Sequence, residues 1–234
     1  MNVLIPYINS PWGGTELRYA IRGLCKHMQD MGDLWVIGDC PEWLVPDVHI
    51  LYADHPDRRF KERNIKSKIE LAITQGIGSS FLFGNDDHFM LKDFTGKDYP
   101  LQHNGDLRAS GRGAYQQSTA NTIEVLKGMG ATCLNYDIHC PIVYHSEMFL
   151  TAMRKVDWNT PYGYVIKSLY SNAMGFSGVY TSDMKINSQR GYIALKRGII
   201  GRPWFSIGEK SMGLPMRKVL QELYSEPSKY EKDI

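Results

Sequence analysis

The chain has 234 residues, 43% of them hydrophobic, and 27 lysines and arginines against 25 aspartates and glutamates leave a formal net charge of +2. That length allows one sizeable core, and so small a net charge gives no pointer to nucleic acid, a membrane surface or an acidic substrate. Four cysteines with no C-x-x-C pair exclude a disulfide-stapled scaffold and are read as reduced thiols.

In chain order, "NVLIPYI" reads as a short buried strand, and "PWGGT" as a turn whose Thr15 caps the helix "ELRYAIRGLCKHM". In that helix Leu17, Ala20, Ile21, Leu24 and Met28 recur at helical spacing, with Arg18, Arg22 and Lys26 on another side. "DLWVIGD" and "VHILYAD" follow as apolar strands, joined by a proline-bearing extended connection. "KSKIELAITQGI" is a second helix, and "SSFLFG" a fourth strand that runs directly into Asn85, Asp86, Asp87 and His88. Strands alternating with helices imply an α/β fold with a mostly parallel sheet flanked by helices, taken as a single domain over residues 1–234.

Beyond Asp93 the polar, glycine-rich stretch up to "AYQQS" reads as a long loop. "TANTIEVLKGMG" is then a helix, "CLNYDIHCPIVY" extended, "SEMFLTAMRKV" a helix capped at Ser146, and "YVIKSLYSNAMG" and "PMRKVLQELYSEP" further helices. From Lys185 to Lys218 the basic side chains are opposed only by Glu209, so this run either faces phosphates or is a solvated surface. The first residues lack a basic n-region, and no run of about 18 apolar residues occurs, so the expectation is a cytoplasmic chain with no membrane span.

The acidic turn carries the chemistry. In an open parallel sheet, ligands bind outside the carboxyl ends of the strands, and the turn falls at such an end. Adjacent carboxylates repel each other, and a divalent cation removes the conflict by taking oxygens from both and completing its shell with water and phosphate oxygens. The plain alternative is an Asx turn whose acids are solvated. Phosphate-loop, nucleophile-elbow, H-E-x-x-H and zinc-type cysteine patterns are absent.

The string "FLFGNDDHFM" resembles the strand-plus-"NDD" core of the Stealth-type sugar-phosphate transferases of capsule synthesis, itself similar to the Asp-X-Asp region of GT-A glycosyltransferases. "TELRYAIRGLCKHM" followed by "LWVIGDCPEWL" resembles that family's "ELRY" helix, strand and "P-x-WL" segment, and "DIHCPIVYHSEMF" its downstream "H-x-P" element. The resemblance spans roughly residues 14 to 150, with a thinner continuation at Asp183 and "SEPSKYE". It implies a GT-A-like fold with Asp86 and Asp87 as the site for Mn or Mg and the donor diphosphate, and Asn85 orienting the turn or touching donor oxygens. It makes Arg18 either a phosphate contact or an exposed helical arginine.

Arg63, Lys66 and Lys68 are read either as neutralising a leaving diphosphate or as a solvated helix face, and Gly13 and Gly14 as a turn that admits a nucleotide closely. His139 is a candidate general base or phosphate ligand, and Asp183 a candidate acid that activates the acceptor or completes the metal shell. His88 is either a further metal ligand or the start of the next element on the core side.

The expected activity is transfer of a sugar from a nucleotide-sugar to a hydroxyl acceptor, either a polysaccharide precursor glycan or a hydroxymethylated DNA base. Transfer of sugar 1-phosphate is the alternative the Stealth resemblance implies. A non-catalytic polyanion-binding module, using the basic region with Tyr180, Tyr192, Trp204 and Phe205, is the alternative of another class.

Overall fold

The computed structural model describes residues 1–110 and 112–232. In chain order the first half contains β1 (Asn2–Tyr7), α1 (Thr15–His27), β2 (Leu34–Gly38), β3 (His49–Leu51), α2 (Lys61–Thr74), β4 (Ser80–Phe83), β5 (His88–Met90) and β6 (Gln102–His103). The second half contains α3 (Ala114–Gly128), β7 (Ile142–His145), α4 (Ser146–Met153), α5 (Ile166–Ala173), β8 (Val179–Tyr180), β9 (Lys185–Ile186), α6 (Tyr192–Ile199), β10 (Trp204–Ile207) and α7 (Leu214–Leu223).

The main sheet has the order β3-β2-β1-β4-β7, with the first four strands parallel and β7 antiparallel to β4. β1 is central because its residues are apolar on both faces: Val3, Ile5 and Tyr7 pack with Leu17, Ile21 and Leu24 of α1, while Leu4 joins Ile69, Phe81 and Tyr144 on the other face. A smaller sheet, β5-β10-β9, packs Phe89 and Phe205 against Met216, Val219 and Leu220 of α7. The acidic turn is the link between β4 of the main sheet and β5 of the smaller one, so both sheets fix its position. Among the described residues no helix is long and apolar enough to cross a membrane.

Several sequence expectations are corrected. Thr15 does not cap α1: Gly14 occupies the N-cap, and the Thr15 hydroxyl turns back to donate to the Trp12 carbonyl at 2.6 Å. Ser146 likewise provides no cap, because it is already helical and its hydroxyl donates to the Gly78 carbonyl at 2.5 Å. α3 begins at Ala114, inside the stretch read as loop; Ser118, Thr119 and Thr122 bond back to carbonyls one turn earlier and are satisfied within the helix. Of the segment read as extended, only Ile142–His145 is strand; Lys167 holds the preceding irregular backbone by donating to the carbonyls of Ile138 and Cys140 at 3.0 and 2.7 Å.

Candidate active site

β1 ends at Tyr7, and the chain turns through Gly13 and Gly14 at φ 62 and 74 into α1. The left-handed backbone accounts for both glycines, and Gly14 has a second reason. A Cβ there would stand 3.0 Å from the Tyr7 hydroxyl and 3.2 Å from Trp43 Nε1, whose N–H donates to the Gly13 carbonyl. No side chain crowds the position of a Gly13 Cβ within 4 Å. This turn brings Glu16, in the first turn of α1, toward the acidic link from β4. Glu16 is buried at 8% exposure and accepts from the Ser10 hydroxyl at 3.1 Å. Burial raises its carboxyl above the ordinary range, Asp87 adds to the rise, and Arg217 acts in the opposite sense.

The Glu16 carboxyl therefore feels the charges of the acidic turn. Burial, then Asp87, then Glu16 push the Asp86 carboxyl up to about 8. Burial also raises Asp87, opposed by the charges of Lys185, His139 and Lys167. The nearest cation, Lys185 Nζ on β9, stands 3.8 Å from Asp87 Oδ2, and the Asp87 side chain keeps 19% exposure. That separation is an ion pair without a hydrogen bond.

Beside the turn, His139 Nδ1 lies 2.7 Å from Asp183 Oδ2, with both side chains about one third exposed, at 35% and 29%. Burial alone would raise the Asp183 carboxyl; the hydrogen bond and charge of His139 overcome it and hold it below the ordinary range. A carboxylate on one ring nitrogen orients the imidazole and leaves the other nitrogen for a ligand or a proton.

His88 resolves differently. It opens β5 on the core side at 3% exposure, and the Asn85 backbone N–H donates to its Nδ1 at 3.2 Å. Its proton therefore sits on Nε2, 3.7 Å from Asp87 Oδ1 and without a hydrogen-bond partner. Burial, then the charges of Lys167, His139 and Lys185, keep the ring neutral. In this tautomer His88 presents a donor toward Asp87 and no lone pair to a cation.

The remaining expected donor contacts are placed elsewhere. The Arg18 guanidinium lies 4.8 Å from the Trp43 ring centroid, with Nε 3.6 Å from Glu231. Arg63 lies over Phe60, and Lys66 is paired with Glu70 at 2.6 Å. Lys68, only 2% exposed, donates to Asp54 at 3.0 Å and reaches Gly38 at the end of β2. None of these four contacts Asp86 or Asp87; Lys68 alone reaches the carboxyl edge of the sheet. Lys167, Arg217 and Glu16 were missed. For Glu16 the available signal was its place in the first helical turn beyond β1, the neighbour of β4; Lys167 and Arg217 are 80 residues or more away in sequence and carry no such signal.

Among the described residues no three His, Cys, Asp or Glu side chains form a group able to hold a cation by themselves. The donor set nevertheless fits Mg or Mn, which commonly take one or two carboxylates and complete the shell with water and phosphate oxygens. The elevated Asp86 carboxyl reflects burial first and the neighbouring charges of Asp87 and Glu16 second, and a bound cation would favour its ionised form.

No known family model matches the sequence, and no curated protein sequence matches it, so the motifs that resemble Stealth-type transferases are not accompanied by a family match. Solved structures do resemble the chain. An active-site variant of LgtC superimposes with a TM-score of 0.50 at 10% identity, over 100% of this chain and 97% of LgtC. A glycosyltransferase involved in glycosylation of the major capsid of PBCV-1 gives 0.47 at 8% identity over 96% and 98% of the two chains. GlyE of Streptococcus pneumoniae TIGR4 gives 0.45 at 13% identity over 96% and 61%. At such identities the LgtC likeness is one of fold: a single α/β domain, its mixed parallel and antiparallel sheets flanked by helices in the GT-A-like manner.

Proposed function

We propose that the chain transfers a sugar from a nucleotide-sugar donor to a hydroxyl acceptor. The observation that carries this reading is the partly buried pair of adjacent acids at the carboxyl edge of the main sheet, with Lys185 3.8 Å from Asp87 and the His139–Asp183 pair nearby. Asp86 and Asp87 would hold Mn or Mg, which when bound supplies positive charge to the leaving diphosphate. Lys185 adds a second charge at the same edge, a role the sequence reading had given to Arg63, Lys66 and Lys68. The Gly13–Gly14 turn, with its uncrowded side, and Lys68 near Gly38 are the contacts nearest the ends of β1 and β2, where the nucleoside would lie. Asn85 holds the turn through its backbone bond to His88, and Arg18 braces the Trp43 wall behind the glycines. His139 accepts the acceptor proton at Nε2 while Asp183 holds Nδ1 and steadies the imidazolium.

Transfer of sugar 1-phosphate is the second reading. The nearness of His139, in the "H-x-P" element, to the "NDD" turn favours it, since both are parts of the Stealth-like pattern. Glycan hydroxyls of a polysaccharide precursor and hydroxymethylated DNA bases are the two proposed acceptor classes, both met in the cytoplasm. A stacking polyanion module loses support because Trp204 and Phe205, at 2% and 0% exposure, are core residues.

The test incubates the chain with a panel of nucleotide-sugars and Mn or Mg, with each acceptor class, following nucleoside mono- and diphosphate. Metal-dependent diphosphate release that Asp87→Asn abolishes is the expected result; monophosphate release instead moves the assignment to sugar-phosphate transfer. Silence across the panel, with no donor-dependent thermal shift, overturns both.

A further inference from the structure

The segment that follows β9 carries a surface the transfer reading does not use. α6 buries Leu195 and Ile199, while Ile193 at 65% and Ile200 at 77% exposure face solvent. Single exposed aliphatics are ordinary. Ile193 and Arg197 fall at i and i+4 on one stripe of the helix with exposed Ala194 beside them, and Ile200 is the first residue beyond its end, in extended backbone. Arg190 reaches across Gly198 onto the same helix, and Gly213, which precedes Leu214 at 81% exposure, lies against Gln189. An open concavity on this face is lined by Gly191, Tyr192, Ile193, Ala194, Arg197 and Gly198.

The charge around the stripe is mainly positive, with Glu222 held by Lys196 and the Tyr192 hydroxyl. Arg190, Lys196, Arg197, Arg202, Lys210, Arg217 and Lys218 are opposed within residues 190–218 only by Glu209. Lys196 is tied to Glu222 at 2.9 Å and Lys218 lies over the Tyr192 ring, whereas Arg190, Arg197 and Lys210 form no ion pair among the described residues.

We propose that this face, with Ile193 and Ile200 as its apolar contacts and Arg190 and Arg197 as its charges, docks the protein on an anionic lipid surface. The pairing of exposed aliphatics with cations selects that partner. Phosphates of a nucleic acid would use the cations but leave the exposed aliphatic side chains of Ile193 and Ile200 without a role, whereas a lipid interface takes both, the aliphatics into the acyl boundary and the cations among the headgroups. A second copy would cover the aliphatics but set this cationic face against itself in a symmetric contact. The proposal goes beyond sugar transfer and is tested without donor or metal, so its failure leaves the transfer reading untouched.

The experiment is flotation of the full chain with vesicles of phosphatidylcholine alone or mixed with phosphatidylglycerol, at low and high salt. The protein is expected to float with the anionic vesicles, weakly or not at all with the neutral ones, and less as salt rises. Ile200→Ser should lower the partition coefficient by about tenfold, and Arg197→Glu by about fivefold or more; Arg197→Lys should retain it. Both positions are exposed, so unchanged thermal melting of the three variants shows that the fold is intact. Flotation equal in wild type and Ile200→Ser overturns the proposal. So does capture of duplex DNA without vesicle binding, which moves the face to nucleic acid. A concentration-dependent dimer that Ile200→Ser abolishes, again without vesicle binding, moves it to self-association.

Discussion

Two acidic places in this protein are built in opposite ways. Glu231, near the carboxyl end, is 7% exposed and receives Arg22 through two bonds of 2.7 and 2.6 Å, with the Ser228 backbone N–H at 2.9 Å and its hydroxyl at 3.1 Å. Burial alone would raise its carboxyl, but the bonds from Arg22 and Ser228 overcome that and hold it below the ordinary range. Asp86 and Asp87 have no such partners: their nearest cation is 3.8 Å away, and Asp86 rises to about 8. A charge whose every oxygen is satisfied spans 209 residues to fasten the carboxyl-terminal segment to α1, and is structural. The partly buried acidic pair at the sheet edge has no such bonds, and it is where we propose that the donor and its cation bind.

The sharpest way to break this contrast is Asp87→Asn. Activity should fall by about a thousandfold, while melting without added metal stays level or rises, because a like-charge conflict is relieved. Added Mn should raise the melting temperature of wild type and not of the variant. Loss of stability in the variant would mean the turn is structural after all.

Glu231→Gln should do the reverse. It leaves the Arg22 guanidinium half-matched in a largely buried site, at a cost of about 3 kcal/mol in chemical denaturation, with transfer activity per folded molecule unchanged. A carboxyl held below its unfolded value stabilises fully above about pH 4.3. That contribution is lost as pH falls through the depressed folded value. The stability gap between wild type and Glu231→Gln should therefore narrow on acidification below that pH and stay constant above it.

Smaller effects sharpen the picture. His139→Gln should lower turnover about a hundredfold, and Asp183→Asn, which acts through the imidazole, about tenfold, with the acid limb of the pH–rate profile displaced in Asp183→Asn. Equal losses in the two, with no change in the profile, would make the pair structural. Smallest is Thr15→Ala: since the hydroxyl caps nothing and only bonds the Trp12 carbonyl, the loss should be about 0.5 kcal/mol, below the ~1 kcal/mol of a lost N-cap.

Local chemistry explains which parts were readable. β1, α1, β2 and β4 carry their apolar pattern in consecutive residues, and the "NDD" turn directly after β4 marks the carboxyl edge of a parallel sheet. Where polar residues satisfy themselves inside a helix, as Ser118, Thr119 and Thr122 do in α3, composition pointed to loop and the backbone did otherwise. The fate of Trp204 and Phe205 was equally unreadable, because two adjacent aromatics in a short strand become core or surface according to what packs on each face, here the α1 and main-sheet core on the Trp204 side and α7 on the Phe205 side.

By itself the sequence determined an α/β chain with an acidic turn after its fourth strand, since periodicity and turn chemistry act over a few residues. Tertiary structure decided the rest: that Glu16 and Lys185 come within reach of the charge of Asp87, that His139 finds Asp183 across 44 residues, and that Lys66 pairs with Glu70 instead of facing the turn. Charges act through distance in space, and spacing along the chain does not encode that distance until both sheets have packed.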